Sequence, residues 1–232
     1  MKRTTILFDL DGTLLPLEQK TFTKECFDLM HKKLSPFGYD MDVLYNCMNA
    51  MISNDGTKTN EQALMDKVFE IRGEKANIEK HLFDEFYATD FNLVRKVCGY
   101  DKKANETIKK LKEKGYKLAI ATNPLFPRIA TEKRIAWAGL DINDFELVST
   151  YEDFHFCKPD ERFYEEFVIK LGVDAHECLM VGNDAVEDMV AERIGMKVFL
   201  LTDCLILDKK TNIDNYPKGD FDELLDFIEK IS

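Results

Sequence analysis

The chain has 232 residues, 45% hydrophobic and 32% charged, the composition of a folded globular protein rather than a disordered one. Its 32 Lys and Arg stand against 43 Asp and Glu, a formal charge of −11, which argues against nucleic acid as a partner because binding a phosphate backbone needs a basic footprint. No apolar run approaches the roughly 18 residues of a membrane span, so no membrane association is expected.

Taken in chain order, the start Met1-Lys2-Arg3 ahead of Ile6-Leu7-Phe8 has the outline of a leader, but Asp9 and Asp11 cut its apolar stretch short. Thr4 to Phe8 instead reads as a short strand running into a loop, Asp9-Leu10-Asp11-Gly12-Thr13. From about Thr21 to Tyr87 the pattern is helical. Apolar stripes run through Phe22, Cys26 and Leu29, then Leu44, Cys47 and Met51, then Leu64, Val68 and Ile71, then Ile78, Leu82 and Phe86. Turn signals at Ser35-Pro36-Phe37-Gly38, Asn54-Asp55-Gly56 and Arg72-Gly73 separate them, so four short amphipathic helices form a compact unit.

After Lys103 helix and strand alternate. A helix over 104–114 ends at Gly115, and Tyr116–Ala121 is a strand. Phe145–Ser149 is the next strand candidate, 160–171 a helix, Cys178–Val181 a buried strand and 184–194 a helix. Lys197–Leu201 is a last strand, and an amphipathic helix over 221–231 closes the chain. This alternation predicts an α/β fold, a doubly wound parallel sheet covered on both faces and interrupted after its first strand by a helical insertion. The six cysteines form no CxxC pair and lie in apolar patterns, which fits reduced thiols of a cytoplasmic protein. The four histidines show no zinc spacing.

Ligands of open parallel sheets bind at the carboxyl ends of the strands. There the sequence places Asp9 and Asp11, then Thr122 and Asn123, then Lys158 ahead of Pro159-Asp160, then Asn183, Asp184 and Asp188. Crowded carboxylates raise one another's pKa, a conflict that a hard divalent cation removes; Mg²⁺ suits few carboxylates, waters and a substrate phosphate. Two carboxylates two residues apart can divide the work of nucleophile and proton shuttle. Thr122 and Lys158 suit the oxygens of a transferring phosphoryl group. Taken singly, each motif also reads blandly: Asp-Gly-Thr as a turn with a helix cap, Lys158-Pro159-Asp160 as a helix start, Asp184 and Asp188 as first-turn acids. Their joint placement at the strand ends of one sheet favours a site.

Asp9-Leu10-Asp11-Gly12-Thr13, Ala121-Thr122-Asn123, Lys158-Pro159-Asp160 and Val181-Gly182-Asn183-Asp184-Ala185-Val186-Glu187-Asp188 resemble, in order, the four motifs of the haloacid-dehalogenase-like hydrolase superfamily. The resemblance implies a Rossmannoid core of residues 1–14 and 96–232 with a helical cap of residues 15–95. It implies that Asp9 is the nucleophile forming an aspartyl-phosphate, and that Asp11 is the general acid and then the base. It further implies that Gly12, Thr13, Thr122, Asn123 and Lys158 bind the substrate. Mg²⁺ would be held by Asp9, the Asp11 backbone carbonyl and the fourth motif. That motif departs from the family's Gly-Asp, since Asn183 stands where the first Asp would fall. Either Asp184 ligates the metal, the favoured alternative, or Asn183 does with Asp188 behind it. Asp11 favours a phosphatase over a dehalogenase, because a departing alkoxide needs a proton and a halide does not. The expected activity is Mg²⁺-dependent hydrolysis of a small phosphorylated metabolite by a monomer or homodimer. A phosphoryl-transferring mutase and a non-catalytic regulator with the same fold are the alternatives.

Overall fold

A computed structural model of the protein describes residues 4–231; Met1-Lys2-Arg3, the leader-like start, lies outside the described residues. Six parallel strands form one sheet: β1 (Thr5–Phe8), β2 (Lys117–Ile120), β3 (Leu147–Val148), β4 (Cys178–Gly182), β5 (Lys197–Leu201) and β6 (Lys218–Gly219), in the spatial order β3-β2-β1-β4-β5-β6. The helices are α1 (Gln19–Leu34), α2 (Met41–Ile52), α3 (Asn60–Arg72), α4 (Lys75–Ala88), α5 (Lys102–Glu113), α6 (Arg128–Trp137), α7 (Glu161–Leu171) and α8 (Phe221–Ile231). None of them, among the described residues, is long and apolar enough to cross a membrane.

Period-two alternation along the strands divides the core. Ile6, Phe8, Leu118, Ile120, Leu179 and Val181 meet the apolar faces of α5, α6 and α8 on one side. Leu7, Ala119, Met180 and Val198 meet Phe163, Phe167 and Val168 of α7 on the other. Both faces are therefore covered, the condition a parallel sheet requires, and the α/β expectation holds. Strand order reverses direction beside β1, because β2 and β3 extend one way and β4 to β6 the other. A crevice thus opens at the carboxyl ends of β1 and β4. Register then aligns the chemistry: Phe8 pairs with Ile120 and with Val181, so the next residues, Asp9, Ala121 and Gly182, leave the sheet at one level.

The four predicted helices between the first two strands are α1 to α4, started by side-chain caps at Glu18, Asp40 and Thr59; Thr59 and Gln62 form a reciprocal capping box. They enclose their own apolar cluster, with Leu44, Cys47, Met51, Leu64 and Phe83 at its centre. The chain leaves and rejoins the sheet layer side by side: Gly99 N–H donates to the Pro16 carbonyl at 2.6 Å, and Leu17 bridges Cys98.

Three expectations need correction. Residues 184–194 are not one helix. Residues 184–188 form a turn, followed by a 3-10 helix over Met189–Ile194. The Asp184 carboxylate accepts from Val186 and Glu187 N–H, and Asp188 Oδ2 accepts from Asp184 N–H, so side-chain bonds hold this turn ahead of the 3-10 helix. The strand over Phe145–Ser149 shortens to Leu147–Val148 at the sheet edge. The sixth strand, β6, has only two residues, too few to show a periodicity.

Candidate active site

Asp9 sits at the end of β1 with its side chain 11% exposed. Its Oδ1 accepts from Lys158 Nζ at 2.9 Å, and its Oδ2 is 3.3 Å from the Thr13 hydroxyl, which also donates to Asn183 Oδ1 at 3.0 Å. Lys158 Nζ further bonds Asp188 Oδ1 at 2.6 Å, with both side chains about 1% exposed. Burial works against the Lys158 charge, but Asp188 and Asp9 outweigh it and hold the ammonium well above the ordinary lysine range. Burial pushes the Asp9 carboxyl up to about 7; Lys158 opposes this, while Asp188 and Asp11 add to it.

Seven of the ten candidate residues line one cavity of about 130 Å³: Asp9, Asp11, Thr122, Asn123, Asn183, Asp184 and Asp188. The other three do not line it. Lys158 is buried, bonded to Asp9 and Asp188. Thr13 stands behind, bonded to Asp9. Gly12 is a packing position with φ of 80°, where an added Cβ would lie 2.3 Å from Asn183 Nδ2. Asn123 joins the loops, its amide donating to Glu187 Oε2 at 3.1 Å while its carbonyl oxygen accepts from Lys158 N–H at 3.3 Å.

The structure also gives reasons for the fourth motif's departure. Asn183 Nδ2 donates to the Cys204 carbonyl at 2.7 Å, fixing the loop after β5, which a carboxylate at that position would not do. Asp188 spends both oxygens on Lys158 and on Asp184 N–H, and Gly182 leaves it room, since a Cβ there would come within 2.0 Å of Asp188 Oδ2. Asp184 commits Oδ1 to two backbone N–H groups and faces the cavity; burial raises its carboxyl above the usual range.

Two further residues join the site without having been singled out in the sequence. Arg134 on α6 is fully buried and pairs with Asp11 Oδ2; its Nη2 donates to Thr131 Oγ1 at 3.1 Å, and its guanidinium lies 4.2 Å from the centre of the Phe126 ring. Burial raises the Asp11 carboxyl and Arg134 opposes that rise, while Asp11 Oδ1 is buried without a partner. The available signal was an arginine on the apolar face of α6, in register with Ala130 and Ala138. Glu187 lines the cavity as well, its carboxyl pushed up to about 7 by burial. Nothing in the sequence separates it from an ordinary loop acid.

The cavity wall thus presents the carboxylates of Asp9, Asp11, Asp184, Glu187 and Asp188, and no Lys, Arg or His lies among its described lining residues. That donor chemistry fits a hard divalent cation, which would relieve the mutual repulsion. Among the described residues, however, no three His, Cys, Asp or Glu side chains already converge on one point, and the carboxylates of Asp9 and Asp188 turn to Lys158 instead.

Comparison with known proteins agrees with this geometry. The chain is 28% identical over 200 residues to the pyrophosphatase PpaX of Bacillus velezensis, covering 84% of this chain and 81% of that protein. In fold it is similar to a 2-haloacid dehalogenase from Pseudomonas syringae, with a TM-score of 0.69 at 18% identity over the whole of both chains. It is also similar to the HAD-hydrolase YfnB of Bacillus subtilis, solved bound to magnesium, with a TM-score of 0.56 at 16% identity over 98% of this chain and 99% of that one. The family model for haloacid dehalogenase-like hydrolases matches residues 4–195, and the chain belongs to that family of hydrolases.

Proposed function

We propose that this hydrolase is a Mg²⁺-dependent phosphatase that cleaves a small phosphomonoester through Asp9. The observation that carries the reading is the set at the switch point: a buried carboxylate bonded to a buried ammonium, with a second carboxylate two residues on lining the same cavity. One Asp9 oxygen attacks phosphorus as the bond to the ester oxygen breaks, and Asp11 gives that oxygen its proton. Water then attacks the aspartyl-phosphate while Asp11 takes its proton, releasing phosphate and restoring Asp9. Burial favours a protonated Asp11 for the first step. Lys158 opposes protonation of Asp9 and holds the attacking carboxylate in place, while Thr122 on the cavity wall would meet the phosphoryl oxygens. Asp9, the Asp11 backbone carbonyl and Asp184 would hold Mg²⁺, which when bound neutralises phosphoryl charge against this acidic wall. Asp11 sets the reading apart from dehalogenation, despite the dehalogenase-like fold, because it supplies the proton an alkoxide needs.

The side-by-side crossings at Pro16 with Gly99 and Leu17 with Cys98 support a division into a core of residues 1–14 and 96–232 and a helical cap of residues 15–95 that closes over the crevice. Six free thiols, four of them buried, suit the reducing cytoplasm. Hydrolysis of p-nitrophenyl phosphate, measured with Mg²⁺, in excess EDTA and beside Asp9→Asn, tests the reading. Turnover is expected only in the wild type with metal. Full activity in EDTA refutes the metal dependence, and full activity of Asp9→Asn refutes the nucleophile.

A further inference from the structure

A second chamber of about 100 Å³ opens between α1, α2 and the segment after β2, and it shares Gln19, Leu125 and Phe126 with the catalytic cavity. The two spaces therefore adjoin, with these three residues common to both walls. Its walls are Phe22, Cys26, Leu44, Cys47, Met51 and Phe83, all buried, with half-buried methionines at the side. No Lys, Arg, His, Asp or Glu is among its described lining residues. Burial lifts the Cys47 thiol to about 11, so that thiol is an apolar wall rather than a nucleophile.

Protein cores are packed with few voids larger than a water molecule, so an apolar space of this size beside the catalytic crevice has the form of a ligand pocket. Its volume is on the scale of one benzene ring. Water gains little there, whereas an apolar group is transferred favourably from solvent. A second anionic group would find no cation to meet it. Resting on the phosphatase reading above, we infer that the substrate is a phosphomonoester whose alcohol portion is uncharged and apolar, a single ring or a short branched chain, seated in this chamber while its phosphate faces Asp9. A pyrophosphate or a phosphorylated carboxylic acid does not fit this arrangement, although the Bacillus relative carries the name pyrophosphatase.

The test is calorimetric binding of three non-hydrolysable phosphonates at saturating free Mg²⁺. Benzylphosphonate is expected to bind at least about tenfold tighter than methylphosphonate, the effect of burying a few apolar carbons. Methylenediphosphonate, with its second anionic head, is expected to bind no tighter than methylphosphonate. Met48→Lys and Thr23→Lys, both at half-buried lining positions, should each reduce the benzyl preference and improve the diphosphonate. Equal affinity for the benzyl and methyl compounds, or a diphosphonate preference in the wild type, overturns the inference. Turnover of p-nitrophenyl phosphate separates the two failures. If that ester is hydrolysed but the ranking is wrong, only the chamber's assignment falls. If no phosphonate binds and the ester is untouched, the phosphatase reading falls with it.

Discussion

Replacing Arg134 by Met keeps most of the side-chain volume and removes one partner of a buried ion pair. The wild-type guanidinium is fully buried against Asp11 and Phe126, so its removal leaves the Asp11 carboxylate without compensation in a desolvated site. Breaking such a pair costs about 3–5 kcal/mol, and the lost bond to Thr131 adds on the order of 1 kcal/mol; Met packing recovers part of this. A net loss of about 4 kcal/mol corresponds to roughly 8–16 °C in Tm for a chain of this size. Removing the stranded charge should reverse much of the damage, so Asp11→Asn placed on Arg134→Met is expected to restore about 2 kcal/mol. Urea denaturation of the two single variants and the double variant in EDTA gives the coupling energy directly. A coupling below about 0.5 kcal/mol would mean that the pair does not hold the loop. In turnover, Arg134 does not line the cavity but positions Asp11, so Arg134→Met should lower kcat by about 10²-fold and leave KM within a few-fold. A variant that raised KM alone would contradict the assignment of Arg134 as a positioning residue.

Gly182→Ala places a Cβ within 2.0 Å of Asp188 Oδ2; the displaced carboxylate loosens Lys158, and a loss of about 1–3 kcal/mol with reduced turnover is expected from denaturation and kinetics. Unchanged stability would show that Asp188 has slack to move. Asn183→Asp sets a carboxylate against the Cys204 carbonyl, so the metal-free variant should lose about 1–3 kcal/mol while binding Mg²⁺ more tightly by calorimetry. A metal-free variant more stable than wild type would refute the loop-anchoring role of Asn183.

What the sequence made legible is what period and punctuation encode. The strands alternate residues between two apolar layers, and Asp9, Thr122 and Asn183 fall where apolar runs stop, so strand-end chemistry is legible in the sequence itself. Long-range pairing was not readable. Arg134 and Asp11 lie 123 positions apart, and only the return of α6 over the sheet brings them together. The region around Asp184 departs from expectation because acids followed by apolar residues look like a helix start, while here the buried Asp188 carboxylate binds the Asp184 N–H within a turn that precedes a 3-10 helix. The choice of Asn at 183 likewise depends on a carbonyl 21 residues away.

The charge arrangement explains how an acidic protein can serve a phosphate ester. Its site cations lie beneath the wall and are already engaged: Lys158 by Asp9 and Asp188, Arg134 by Asp11. Each fixes the position of a cavity carboxylate, and neither cancels the negative surface that an incoming phosphate meets. Burial raises the carboxyls of Asp9, Asp184 and Glu187 above their ordinary values, a sign that their charges are costly there until a cation offsets them. A site that relied on its own side chains would repel the ester. With a divalent cation the same wall becomes the means of binding, since the carboxylates that repel phosphate retain the metal that attracts it. Metal affinity and phosphate affinity are then linked, and each should tighten the other by the same factor. Inorganic phosphate titrated at stepped Mg²⁺ concentrations should show that reciprocity, and phosphate affinity independent of Mg²⁺ would place the compensating charge elsewhere.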